Sequence, residues 1–301
     1  MPSFRLRPTP PFRLDLTSWV LRRRPDNGWD HWDGETYRRV LVTEGLPVDV
    51  SAVQRGDELL VTLSGARISS PIREQVTDSL TKVLGIDVDL SAFYRFARQD
   101  RRLGALAERF RGFKPPRFAT LFEGLVNGIS CQQLSLTVGI ILLTRLVEHY
   151  GRDLHGRHAF PEPFELRSAD PEQLVRLGYS HNKARSLIEL AQSIAGGQFQ
   201  PASLEHASDR DVLARLQQLR GIGRWTAEYV LLRGLGRTNS FPGDDVGARN
   251  NLERWLGLRK PLTYDGAQRV LKKWAPYGGL IYFHLLLDQQ ERLGYLNQPE
   301  T

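Results

Sequence analysis

The residues best suited to chemistry stand in series between positions 219 and 256. The run "LRGIGRWTAEYVLL", residues 219–232, reads as amphipathic helix broken by Gly221-Ile222-Gly223 and restarted at once by Arg224, Trp225 and Thr226. Two glycines inside a helix cost roughly 1 kcal/mol each relative to alanine, so the break has a use. A helix, tight hairpin, helix unit exposes the N–H groups of Gly221, Ile222 and Gly223 beside the positive end of the second helix, where a phosphate oxygen can bind without a side chain. Such donors ignore base identity and would hold a nucleic acid backbone of any sequence. A plain helix–helix turn is the competing reading. A dinucleotide-binding loop fits poorly, because Thr226 stands where its third glycine belongs and the preceding segment is helical. Downstream, "FPGDD" sets paired carboxylates, Asp244 and Asp245, ahead of a helix with Val246, Leu252, Trp255 and Leu256 on its apolar positions. Either carboxylate can serve as an N-cap.

Helices must position these groups. Asp209 or Asp211 can cap a helix with Val212, Leu216 and Leu219 on one face, reaching Leu219 and ending at Arg220-Gly221. A second begins around Arg224 to Thr226, with Trp225, Tyr229 and Leu232 at i, i+4 and i+7. The chain changes character near residue 90. Before it, "FRLDLT", "YRRVLVT", "VDVSAVQ" and "ELLVTL" read as strands of an antiparallel sheet, covered by a helix over "IREQVTDSLTKVLG" from Ile72. Beyond it, apolar segments have helical spacing with breakers between them. The fold class is α+β, a β-rich domain over residues 1–90 followed by a mainly α region over 91–301.

Composition narrows the function. The 301 residues are 41% hydrophobic and 25% charged, enough for an ordinary core, and 41 Lys+Arg against 34 Asp+Glu favour an acidic partner such as nucleic acid. The single cysteine, Cys131, excludes an internal disulfide and a four-cysteine zinc or iron-sulfur site. The start "MPSFRLRPTPPFRL" lacks the apolar core of a signal peptide, and the run "VGIILL" is too short to span a bilayer, so a cytoplasmic protein without membrane contact is expected.

The series "LRGIGRWTAEYV" then "FPGDD" resembles the helix-hairpin-helix DNA glycosylases, in particular the bacterial 3-methyladenine DNA glycosylase II type. The resemblance extends through "FEGLVNGISCQQLSLTVG", "FPEPFELRSADPEQLVRLGYSHNKARSLIELAQSI" and "KKWAPYGGLIYFHLLL", most of residues 90–290. It implies a mainly helical glycosylase fold of two packed helical subdomains with the cleft between them, preceded by a small TATA-binding-protein-like antiparallel sheet. The implied activity is monofunctional hydrolysis of the N-glycosidic bond of damaged, alkylated or deaminated purines in double-stranded DNA, by a monomer without an iron-sulfur cluster.

Carried over residue by residue, the catalytic carboxylate falls on Asp245. Base cleavage builds positive charge on the sugar, and an ionised carboxylate stabilises that charge while placing or deprotonating the attacking water. A helix N-terminus favours its ionised form. Asp244 is expected to be a cap or turn residue. Trp225 and Tyr229 match rings that line the base pocket, where an electron-poor base stacks on electron-rich faces, although a Trp/Tyr pair on a helix is commonly core. Gln132 and Gln133 match the wedge that fills the gap left by a flipped nucleotide, Gln133 at the inserting position. Leu219, Gly221, Ile222, Gly223, Arg224 and Thr226 form the backbone-binding set, with a monovalent Na or K ion expected at the carbonyls of Leu219 and Ile222. Arginines from Arg95 to Arg117, with Lys114, Lys183 and Arg185, are further candidate phosphate contacts. Val246 and Leu286 stand where relatives carry aromatic residues, which leaves room for deaminated bases or for oxidised ones such as 8-oxoguanine. A non-catalytic DNA-binding module would keep the hairpin but need neither Asp245 nor the glutamine wedge. In "GIGRWTAEY" the lysine of strand-cleaving relatives is replaced by Trp225.

Overall fold

A computed structural model of the chain describes residues 2–65 and 68–297. The first part runs β1 (Ser3–Leu6), α1 (Leu14–Arg22), β2 (His31–Trp32), β3 (Thr36–Thr43), β4 (Leu46–Arg55), β5 (Glu58–Ser64) and α2 (Ser70–Leu84). The strands form one antiparallel sheet in the order β1-β5-β4-β3-β2. Alternation decides which face is covered: Val48, Val50 and Ala52 of β4 and Leu59, Val61 and Leu63 of β5 are buried with Ile72, Val76, Leu80 and Val83 of α2. Ser69 caps α2 by accepting the N–H of Ile72, and Gly85, at φ 59°, ends it.

One expected strand is a helix. "FRLDLT" contributes Leu14–Thr17 to α1. Leu16 and Val20 pack with the C-terminal helices, while Leu14, Trp19 and Leu21 pack with the sheet. A helix apolar on two faces looks alternating over its first few residues, so period alone could not separate it from a strand.

The remainder comprises α3 (Ser91–Ala97), α4 (Arg101–Arg109), α5 (Leu121–Cys131), α6 (Leu136–Tyr150), a two-strand hairpin β6 (Asp153–Leu154) and β7 (Arg157–His158), then α7 (Pro163–Leu166), α8 (Pro171–Arg176), α9 (His181–Ala195), α10 (Asp209–Leu216), α11 (Arg224–Arg233), α12 (Val246–Leu256), α13 (Tyr264–Leu271) and α14 (Gly278–Arg292). Two cores divide these helices. Leu125, Leu143, Leu187 and Val230 belong to one, and Phe93, Leu103, Leu252 and Phe283 to the other. The helix α11 lies on the seam: it sends Val230 and Leu231 into the first core and Leu232 into the second, and every residue from Thr226 to Arg233 is buried. It is therefore buried around its circumference rather than on one stripe, its charged Glu228 and Arg233 included.

A buried ion network fastens the sheet to α5. Arg39 on β3 donates to Asp30 at 3.2 Å and to Glu123 at 3.0 Å, Tyr37 donates to Asp30 at 2.6 Å, and the Trp29 indole donates to Glu123 at 3.2 Å. Breaking such a pair from one side costs about 3–5 kcal/mol, because the partner's charge stays buried. The sheet is held rigidly against the helices that build the site.

Candidate active site

A cleft of about 1220 Å³ opens between the two helical cores. The loop from α5 to α6, the hairpin before α11, the turn before α12 and one side of α14 line it. The hairpin is shorter on its helical side than the sequence implies: α10 stops at Leu216, and Ser208 rather than Asp209 or Asp211 caps it, accepting the Asp211 N–H at 3.2 Å. Leu219 lies in the turn, where its carbonyl accepts the N–H of Ile222 at 3.1 Å. That bond removes Ile222 from the set of free donors, and its side chain is buried.

The two glycines differ. Gly221 has φ 77°, and a Cβ there would meet Ser186 Oγ at 2.5 Å, so both conformation and space demand glycine. Gly223 has φ −92°, caps α11 without a side-chain bond, and a Cβ on it would meet nothing within 4 Å. Its neighbourhood is open backbone at the positive end of a helix lining the cleft.

Packing commits several expected contact residues to other partners. Arg224 forks onto Asp244 at 2.6 and 3.0 Å and lies 3.9 Å over the Tyr264 ring, so it ties α11 to the turn before α12 rather than presenting a free charge. Asp244 accordingly sits in the turn, as expected of a cap or turn residue, and serves there as an ion-pair partner, while Asp245 caps α12. Thr226 is buried, and its Oγ1 accepts from Gln132 Nε2 at 2.7 Å; the same amide donates to the Gly221 carbonyl at 2.6 Å. Gln132 thus staples the α5–α6 loop to the hairpin and is not a wedge. Gln133 is exposed at the tip of that loop in a left-handed conformation, φ 55°, beside Leu134, which is 41% exposed. Lys183 donates to the carbonyls of Ser130 and Gln132, and Lys114 is buried with its ammonium on the Val88 carbonyl, so neither is a free phosphate contact.

Two carboxylates line the cleft, Asp244 in its ion pair with Arg224 and Asp245, which has no salt bridge among the described residues. It caps α12 through Oδ1, which accepts the Ala248 N–H at 2.8 Å. Burial pushes its carboxyl above the ordinary value, and the N–H groups of Ala248 and Gly247, the Trp225 side chain and Arg249 oppose that shift without cancelling it. Desolvation therefore outweighs the helix end that was expected to hold the acid ionised. Trp225 and Tyr229 stack at 5.5 Å and 19°, but they are unequal: Trp225 is partly open to the cleft, while Tyr229 is buried against Phe118, and its hydroxyl accepts from Arg23 at 3.1 Å.

Sequence reasoning missed four residues. Glu228, buried on α11, accepts the Gly243 N–H at 3.1 Å and the Tyr264 hydroxyl at 2.6 Å, holding the turn that carries Asp245. Arg23, Arg233 and Tyr282 line the cleft from α1, α11 and α14. Glu228 and Arg233 stand at i+4 and i+9 from Arg224 on a helix buried all round, which is the one local sign they left. Among the described residues no lysine lines the cleft, no group of three or more His, Cys, Asp or Glu could hold a metal, and no helix is long and apolar enough to cross a membrane.

A family model, that of the HhH-GPD superfamily base excision DNA repair proteins, matches residues 126–276, the span that carries the α5–α6 loop, the hairpin and Asp245. The chain belongs to this superfamily. Among HhH-GPD relatives, the Bacillus subtilis protein YfjP is 32% identical over 175 residues, a match covering 58% of this chain and 61% of the relative's own length. The DNA-3-methyladenine glycosylase of the same organism is 27% identical, with 79% of this chain and 80% of that one covered. The solved 3-methyladenine DNA-glycosylase of Archaeoglobus fulgidus superposes with a TM-score of 0.83 at 26% identity, covering 97% of this chain and 99% of the other, so the sheet-plus-helices HhH-GPD architecture is shared end to end.

Proposed function

We propose that this chain is a monofunctional DNA glycosylase that hydrolyses the N-glycosidic bond of damaged, alkylated or deaminated purines in double-stranded DNA. The observation that carries the reading is Asp245: a partly buried carboxylate fixed at the head of α12 by the Ala248 N–H, lining with Trp225 a cleft whose rim is an open helix N-terminus. The backbone around Gly221 and Gly223 meets phosphate, and the flipped base enters beside Trp225. Gln133, on its exposed loop tip, fills the vacated stack, with Leu134 adjoining it. As the bond to the base stretches, Asp245 stabilises the positive sugar and orients or deprotonates water. With a carboxylate and no lysine among the described lining residues, water and not an amine is the attacking group.

The hairpin offers neutral carbonyl oxygens: that of Leu219 accepts one N–H and that of Gly221 one amide, each retaining a second lone pair. A monovalent rather than a divalent cation would suit neutral oxygens of this kind; the carbonyls of Leu219 and Ile222 would hold it, and it would supply positive charge for a backbone phosphate. The protein acts as a monomer in the cytoplasm, on chromosomal DNA. The test is a duplex oligonucleotide with a single damaged purine. Free base and an intact abasic strand that breaks only after alkali are expected; a covalent protein–DNA adduct trapped by borohydride in substantial yield refutes the monofunctional reading.

A further inference from the structure

The loop tip that carries Gln133 is held by a lysine whose place breaks a local rule. Lys183 stands in the first turn of α9, where a helix favours acids, yet α9 has no acid there. Its ammonium is half-buried, which pulls its pKa below the ordinary value, and no carboxylate pairs with it among the described residues. It donates instead to the carbonyls of Ser130 at 3.0 Å and Gln132 at 2.8 Å, at the end of α5. The last carbonyls of a helix lack partners and carry its negative pole, so this cation serves the C-terminus of another helix rather than its own. Further contacts join the same parts. The Gln132 side-chain amide donates to the Gly221 carbonyl and to Thr226 Oγ1, and Ser186, one turn after Lys183 on α9, lies so near Gly221 that a Cβ there would meet its Oγ. On the other side of the tip, Ser135 caps α6 by accepting the Val138 N–H at 3.3 Å. Gln133 thus projects between fixed neighbours, exposed, at φ 55°, and without a side-chain hydrogen bond among the described residues. A left-handed glutamine is strained, and it persists only where its surroundings over-determine it.

We propose that Lys183 and Gln132 are the positioning residues of the wedge: they hold Gln133 projecting before DNA arrives and tie it to the hairpin that meets the strand. The inference rests on the glycosylase reading and deepens it. Neither residue touches the base. A loose tip would have to be ordered while the nucleotide leaves the stack, and that ordering would add to the barrier for flipping, whereas a tip fixed in advance adds nothing. The link from Gln132 to Gly221 and Thr226 also fixes how far the wedge stands from the hairpin, so the wedge enters the stack at one place relative to the held phosphate. A damaged base whose partner is missing is already loose in the stack and depends on this device far less.

The experiment measures single-turnover release of 7-methylguanine from two duplexes that differ at one position, with the damaged base opposite cytosine or opposite a stable abasic analogue. The quantity read is the ratio of the paired rate to the unpaired rate. Lys183→Met, which keeps the apolar stem and loses the donors, should slow release from the paired site by roughly tenfold or more and from the unpaired site by less than about threefold. Gln132→Met, which cuts the link to the hairpin, should lower the ratio in the same direction. Gln133→Ala should lower it as well, and adding Lys183→Met to that variant should lower it no further, because the lysine acts through the wedge. Both rates come from one protein, so a loss of folded fraction cancels from the ratio. Equal slowing of the two sites by Lys183→Met, which a purely structural role would give, overturns the proposal, as does a further fall of the ratio in the double variant. Release from neither duplex by wild type overturns the glycosylase reading itself, a distinct result.

Discussion

The two ends of α11 meet opposite demands. At its N-terminus the backbone around Gly223 is open, and the nearby charge, Arg224, is half-exposed and forked onto Asp244. Exposed pairs of that kind contribute about 0–1 kcal/mol, so this end can lose a side chain and keep its shape. At its C-terminus Arg233 is buried among Phe118, Tyr229 and Phe283 with two nitrogens unpartnered. Asp245 and Glu228 share this second regime, since burial pushes both carboxyls upward. A single helix thus joins a tolerant, solvent-facing end to an intolerant buried one.

The sharpest way to break that contrast is Asp245→Asn. Excision should fall by roughly 10²–10³-fold while duplex binding persists, because the charge acts on the transition state. Thermal stability should not fall. A carboxyl whose folded pKa is raised disfavours the folded state once pH exceeds its unfolded value, so at pH 7 the neutral amide relieves that penalty, and asparagine caps as well as aspartate. The same sign places the acid limb of the wild-type excision profile above the ordinary aspartate value of 3.8. Near-wild-type excision by the variant, or a large drop in melting temperature, would contradict the division between chemistry and structure.

The hairpin glycines sharpen the comparison from the other side. Gly221→Ala should destabilise by about 1–3 kcal/mol, through its left-handed φ and the clash with Ser186, as read by denaturant unfolding. Gly223→Ser should leave stability unchanged or raise it, since serine is a good N-cap and its Cβ has room. Its hydroxyl would compete with phosphate for the first N–H groups of α11, weakening binding of damaged and undamaged duplex alike by several-fold in a titration. A loss confined to one lesion would move the hairpin into the base pocket. The smallest effect is expected from Asp244→Asn, which removes an exposed pair and should cost excision less than about fivefold. A loss as large as that of Asp245→Asn would exchange the roles of the two carboxylates.

Local chemistry was sufficient for much of this molecule. Alternating apolar residues from Tyr37 to Leu63 define the sheet and its covered face, because strand side chains alternate whatever lies beyond them. The glycine break marks the hairpin, because few residues other than glycine adopt the conformation of Gly221. "FPGDD" places a carboxylate at the head of α12, where a cap belongs. The fate of the other side chains was decided by contacts between distant segments. Gln132 and Thr226 are polar residues that any exposed loop could offer to DNA, and only the apposition of α5 with α11 turns them toward each other across 94 positions. Arg23 reaches Tyr229 across 206 positions, and nothing in the local run of three arginines distinguishes it from Arg22 or Arg24. Backbone conformation and periodicity are properties of neighbouring residues, whereas burial, hydrogen-bond partners and the pKa shifts they cause belong to the packed interior, and the floor of this cleft exists only there.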